Sequence, residues 1–269
     1  MQGLSFRPFP LLLIAVIAVV GWSLPTAMAA EADAEKTNNA PAPLRIGAAS
    51  CLINPRIGDW VQGAGQAKRA TKIRDNLDAN GLYLSDGKKQ LLLVSCDVAA
   101  LPSARVGAMR EAMGQATGIP PRDILITCTH THGGPSVLRT NYLMPVDQAY
   151  LDRLQGWLVE ISREAIKSAQ PGKIGWGKGT VQIGFNRRLC WADGTHTMHG
   201  DATRKDFAGL EGPDDPQHLA LFAADTSGKP IAVLYDLSRS WHCVPSGSQV
   251  GKLIGAVVAN HKPSDKVQP

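Results

Sequence analysis

Two short segments carry the side chains best suited to chemistry. The first is His130-Thr131-His132-Gly133-Gly134-Pro135. In an extended segment residues i and i+2 point to the same side, so both imidazoles can face one cation, or one cation and its bound water. The glycines that follow remove side-chain bulk. The second segment is Ser240-Trp241-His242-Cys243-Val244-Pro245, which also follows an apolar strand-like run. Ligands delivered from the ends of two central strands gather over one end of a sheet, where sites form. Zinc suits imidazole donors, and a metal held by two or three protein groups keeps a position for water and activates it for attack. Asp97, directly after a strand, and His132 are the candidates for a third ligand. Each histidine also has a plainer reading as a loop residue that only hydrogen-bonds its surroundings.

Other chemistry is excluded or given less weight. His196 and His199 follow Asp193-Gly194 in a polar stretch that reads as a solvated loop, and His218 precedes a strand. The glycine runs at 63–65 and 175–179 lack the strand, spacing and helix of a dinucleotide site, and no phosphate-binding GxxxxGK[ST] motif occurs. No GxSxG nucleophile elbow is present. Lys and Arg total 28 against 23 Asp and Glu, a net charge of +5 that is spread along the chain rather than clustered with aromatics, so no nucleic-acid partner is implied. Five cysteines, none in a CxxC pair, make an odd count, and Cys96 and Cys128 sit in apolar runs where reduced buried thiols are expected.

The elements that must position these residues alternate between strands and helices. Gly81–Tyr83 and Gln90–Cys96 flank Ser85-Asp86-Gly87-Lys88, whose Asp-Gly marks a hairpin. The segment 103–118 places Val106, Met109 and Met113 at helical spacing, opens at Ser103 as a cap and closes at Gly118. Ile124–Cys128 reads as a buried strand that delivers the first histidine loop. A second helix over 147–169 has Leu151, Leu154, Leu158, Ile161 and Ile166 on one stripe and stops at Pro171-Gly172. Strand periodicity follows at 174–183, 219–223 and 231–237, with 186–189 leading to a turn at Asp193-Gly194 and the last two strands joined by a turn at 226–230. Hairpins combined with crossover helices predict a mixed α/β fold, a mixed parallel and antiparallel sheet with flanking helices.

The N-terminus reads as an export signal over 1–29. Arg7 supplies the charge, Leu11–Leu24 is mostly apolar, and Ala27-Met28-Ala29 fits a small-x-small cleavage site. The run is shorter than the roughly 20 residues a span needs, so a periplasmic or secreted chain with no transmembrane span after cleavage is expected, with an uncleaved N-terminal membrane anchor as the alternative. Residues 30–43 read as a solvated linker.

The chain resembles the N-terminal catalytic domain of the neutral/alkaline non-lysosomal ceramidases and bacterial ceramidase-like proteins. The resemblance runs from about Leu44 to Pro245. It is carried by Gly81-Leu82-Tyr83-Leu84 through Leu92–Asp97, by the segment 129–135, by Phe185-Asn186-Arg187-Arg188, by 212–216 and 228–234, and by His242-Cys243-Val244-Pro245. It implies a zinc-dependent hydrolase that attacks an amide (N-acyl) bond of a small-molecule or lipid substrate. On the same basis, His130 and His242 would be zinc ligands, His132 would orient water or substrate, and Arg187 would contact substrate polar groups. The loop reads HTHGGP where the family has HTHSGP. The family's serine-bearing GDVSPN-like segment and its later glutamate and tyrosine ligands have no counterpart after His242. That pattern predicts a chain ended or frameshifted after about Pro245, with a divergent, poorly ordered tail over 246–269. The alternative expectation is a non-catalytic secreted binding or scaffold domain, or a truncated relic, on the same framework.

Overall fold

A computed structural model describes residues 43–63, 66–139, 145–180, 186–213, 216–237 and 257–258. The expected signal, the linker up to residue 42, His242 and all of the expected tail except 257–258 lie outside the described residues. Strands β1 (Arg45–Leu52), β2 (Trp60–Gly63), β3 (Gln66–Arg69), β4 (Asp78–Ser85) and β5 (Gln90–Cys96) come first. Helix α1 (Ser103–Thr117), strands β6 (Ile124–Cys128) and β7 (Gly134–Pro135), helix α2 (Gln148–Lys167) and the long β8 (Gln170–Thr180) follow. Then come β9 (Leu189–Trp191), β10 (His196–Thr197), β11 (Phe207–Leu210), β12 (Gln217–Asp225), β13 (Pro230–Leu237) and β14 (Val257–Val258).

The main sheet has the order β14-β13-β12-β8-β1-β4-β5-β6. β5 and β6 run parallel, joined by the α1 crossover that a parallel pair requires, and β1, β4 and β5 are antiparallel neighbours. The fold is therefore mixed α/β with a mixed sheet, as the sequence predicts.

Alternation along the strands builds two core layers. Ala49, Cys51, Leu92, Val94 and Cys96 face the helices and pack with Met109, Met113, Leu151, Leu154, Leu158 and Ile161. Ile46, Ala48, Leu82 and Leu84 face the other way, against Ala223 of β12 and Ala232 of β13. Tyr150, at the start of α2, is fully buried and donates its hydroxyl to Ile53 O at 2.6 Å.

Several expectations are corrected. Ser103 does not cap α1: Pro102 occupies that position, with no side-chain hydrogen bond, and Ser103 is the first helical residue. The α1 C-terminus ends as expected on Gly118, whose φ of 77° is a left-handed conformation that suits glycine. Strand β6 is the edge of the sheet, with Leu125 51% exposed, because its outer neighbour is absent among the described residues and only one of its faces is covered by helix. The two histidine segments thus do not follow two central strands. Strand β8 begins at Gln170, ahead of the expected 174, because its first residues pair with β1, and 181–185 lie outside the described residues. The hairpins β4–β5 and β12–β13 form as read, with Gly87 at φ 84° and Gly228 at φ 92° in their turns.

Candidate functional site

The first histidine loop grows directly out of β6. Thr129 N donates to Cys96 O at 3.0 Å and His130 N to Val98 O at 3.1 Å, so the backbone keeps following β5 beyond the end of the ladder. The chain then turns sharply. His130 has φ 61°, and it is the non-glycine residue with left-handed backbone among the described residues. Such a conformation costs about 1–2 kcal/mol in an L-residue. The two imidazoles therefore do not converge through the i, i+2 geometry of an extended strand; they converge through this turn.

The convergence is close. His130 Nδ1 donates to Ala99 O at 2.7 Å, since a carbonyl can only accept, and this leaves His130 Nε2 as the unprotonated nitrogen of the neutral ring. His132 Nε2 lies 3.3 Å from it, with the rings 4.9 Å apart at 74°. The bond to Ala99 has the form of the backbone-carbonyl support by which metal-binding histidines are oriented, and it leaves His130 Nε2 a lone pair of the kind a zinc ligand needs, with His132 beside it.

The remainder of the loop is fastened to the small sheet β3-β2-β7. Gly134 and Pro135 pair with Gln62 and Val61, Gly133 N donates to Thr131 Oγ1, and Ser136 N donates to Trp60 O at 2.8 Å. A side chain at Gly134 would meet Thr131 Cγ2 at 3.1 Å, a tight contact to which this methyl would have to yield by a few tenths of an ångström. Asp97 is only 4% exposed, and its Oδ2 accepts from Asp78 N at 3.0 Å. It braces the start of β4 and does not join the histidines as a third ligand. Among the described residues no group of three or more His, Cys, Asp or Glu is placed to hold a metal.

Arg187 reaches this site from the far side of the sequence. Its guanidinium, together with His130 and, first, partial burial, holds His132 below the ordinary histidine value of 6.5. Arg187 Nη1 is buried without a hydrogen-bond partner among the described residues. The sequence reading missed how this arginine is fixed. Asn186 Nδ2 donates to Gly212 O, Asn186 Oδ1 accepts from Arg188 N, and Arg188 Nε pairs with Glu211 Oε2 at 2.6 Å. The Asn186–Arg188 contact is an Asx turn, a signal present in the sequence. Glu211 also accepts from His196 Nδ1 at 3.1 Å, so His196 is exposed as expected but paired. Cys51, Cys96, Cys128 and Cys190 are free thiols, and Cys243 lies outside the described residues.

No family model matches the chain, and no curated protein matches it. Its fold is similar to that of solved ceramidases. The crystal structure of neutral ceramidase from Pseudomonas aeruginosa matches with a TM-score of 0.52 and 16% sequence identity, over 72% of this chain and 31% of that one. A structure described as ceramidase complexed with C2 matches to the same extent. The chain thus spans 31% of the length of the ceramidases it matches, and the likeness is one of fold.

Proposed function

We propose that the chain is an exported, zinc-dependent hydrolase of the neutral ceramidase-like class, acting on the N-acyl amide bond of a lipid or small-molecule substrate in the periplasm or outside the cell. The observation that carries this reading is the 3.3 Å approach of two imidazole nitrogens, one of them aimed by the Ala99 carbonyl. His130 and His242 are the zinc ligands in this reading. Bound zinc supplies Lewis acidity at the scissile carbonyl and activates water.

The chain's own residues do the positioning. His132 is held neutral near pH 7 by burial, by His130 and by Arg187, so its imidazole is competent to accept a proton from water or to orient substrate. Arg187 Nη1, buried and unpaired among the described residues, donates in this reading to a substrate oxygen and is satisfied when that oxygen arrives.

Elemental analysis of the purified chain, beside His130→Ala and His242→Ala, tests the metal. About one zinc per chain, lost in both variants, supports the reading. Arg187→Ala is then expected to retain zinc while turnover of a fluorogenic N-acyl lipid falls. A folded chain that binds no zinc refutes the enzyme and leaves the non-catalytic scaffold.

A further inference from the structure

The three-stranded sheet β10-β9-β11 gathers a second cluster of side chains suited to chemistry. Cys190 lies on its middle strand, with His196 of β10 and Gly209 of β11 as cross-strand partners. Such partners share a face, and His196 Nδ1 stands 3.6 Å from Cys190 Sγ. The same nitrogen lies 3.1 Å from Glu211 Oε1, whose carboxylate is paired through Oε2 with Arg188 Nε at 2.6 Å. A carboxylate only accepts, so Nδ1 carries the proton, and the sulfur lies within reach of it as a second acceptor.

An N–H donated to sulfur supports the thiolate, the form that attacks. Arg188 offsets the charge of Glu211, so the carboxylate beside the imidazole does not cancel that support. On the β11 side the partner is a glycine, and among the described residues no atom stands within 4 Å of where a Cβ at Gly209 would lie, so nothing crowds Cys190 from there. Cys190 itself is half-buried, and His196 is exposed. The other described thiols have a different setting: Cys51 and Cys96 are buried in the core under the helices, and Cys128 packs against that core. No other cysteine lies on β9, β10 or β11, so no second thiol of this sheet can displace a group once it is bound to the Cys190 sulfur.

We propose that Cys190 is a thiol-exchange site that forms a mixed disulfide with small-molecule disulfides. The Cys190 thiol gives its proton to water, and the thiolate, hydrogen-bonded by His196 Nδ1–H, attacks one sulfur of the disulfide. A bond forms between Cys190 Sγ and that sulfur as the small molecule's own S–S bond breaks. The other half leaves as a thiolate and takes up a proton, so one disulfide is consumed, one is formed, and no further oxidant is needed. The site rests on no part of the zinc reading, and its readouts are mass and rate rather than metal or turnover.

The test exposes the folded full chain to hydroxyethyl disulfide near neutral pH, stops samples with acid, and reads the rate at each cysteine by peptide mass mapping. Cys190 should gain the mercaptoethanol adduct about threefold faster in the folded chain than in urea, since tenfold more thiolate is partly offset by its lower nucleophilicity. Cys51, Cys96 and Cys128 should be slower folded than unfolded. His196→Ala uncovers the sulfur further, so a thiol that is merely accessible would hold its rate or speed up; the expected result is a rate about threefold lower. Folded Cys190 that exchanges no faster than in urea overturns the proposal. So does a His196→Ala chain, with the wild-type circular dichroism spectrum, whose Cys190 exchanges at the wild-type rate or above.

Discussion

Gly47 lies in β1 where the strand passes beneath the last turn of α2. A Cβ there would stand 1.9 Å from Ala165 O, 2.9 Å from Ala169 N and 3.0 Å from Ala169 Cα. All three are backbone atoms, so no rotamer change relieves the clash. The turn is also tied down, because Arg45 Nη2 donates to Ala169 O and Ala48 N donates to Ser168 Oγ at 3.0 Å. An ordinary carbon–oxygen contact needs about 3.3 Å, so Gly47→Ala must separate strand from helix by roughly 1.4 Å. A gap of about 0.5–1 Å already loses a quarter to a half of the dispersion contact, and this helix brings Leu151, Leu154, Leu158 and Ile161 to the core. The expected loss is about 3 kcal/mol, the upper end of the over-packing range, or a Tm lower by roughly 6–12 °C for a domain of this size. Gly81→Ala is the matched control. Its Cβ would meet Ile161 Cγ1 at 3.4 Å and Cδ1 at 3.6 Å, ordinary contacts with a side chain that can adjust. It should stay within about 1 kcal/mol of wild type. Thermal melts followed by circular dichroism decide between them. A Gly47→Ala variant that melts like wild type, or a Gly81→Ala variant equally damaged, would refute the account of how β1 meets α2.

Three further outcomes are expected. Asp147 caps α2 by accepting from Tyr150 N at 2.9 Å and also accepts from Trp60 N at 3.1 Å, so Asp147→Ala should lose about 2 kcal/mol, read as a lower urea midpoint at unchanged slope. His132 should titrate below 6.5 by NMR and move upward in Arg187→Ala. Because its folded form favours the neutral ring, the unfolded chain takes up the proton first as pH falls through about 6.5. His132 therefore subtracts stability on acidification until it titrates in the folded state, and His132→Asn should flatten that slope. Burial pushes the Cys51 thiol up to about 12, Cys128 to about 11 and Cys96 well above its ordinary value. At pH 8 roughly one Cys128 thiol in a thousand is then ionised, and alkylation of all three in the native chain should run at least about a hundredfold slower than in urea.

Legibility in the sequence follows how local the determinants are. Helix α2 announces itself because Asp147 is a cap and the apolar stripe has period 3.6, both within one stretch; it ends at Lys167, ahead of Pro171-Gly172, which belong to β8. The β4–β5 hairpin is equally local, set by Asp86-Gly87. Strand β1 gives no such signal. Its Ile-Gly-Ala-Ala-Ser-Cys run is buried on both faces, so it shows no alternation, and its residues are small because α2 comes within backbone contact of Gly47. Strand β7 is two residues long and exists only by pairing with β2. In the site, residue types and spacing marked His130 and His132, and the resemblance marked Arg187. The Ala99 carbonyl that sets the His130 tautomer could not be read, since a backbone acceptor leaves no trace in side-chain identity.

The left-handed turn at His130 gives the site its geometry, and that turn opposes stability. A histidine at φ 61° is disfavoured by about 1–2 kcal/mol relative to an ordinary backbone, and glycine removes the strain while adding up to about 1 kcal/mol of unfolded-state entropy. His130→Gly and His130→Ala both delete the bond to Ala99, so the difference between them isolates the backbone. Glycine should be the more stable of the two by about 0.5–1 kcal/mol in urea unfolding. If alanine equals or exceeds glycine, the turn carries no strain, and the convergence of the two imidazoles needs another cause. If the difference appears, the strain is held in place by the hydrogen bonds of Thr129 and His130 to the end of β5. The Nε2 pairing is then a feature that the sheet maintains against local preference, as expected of a residue kept for its chemistry rather than for its fit.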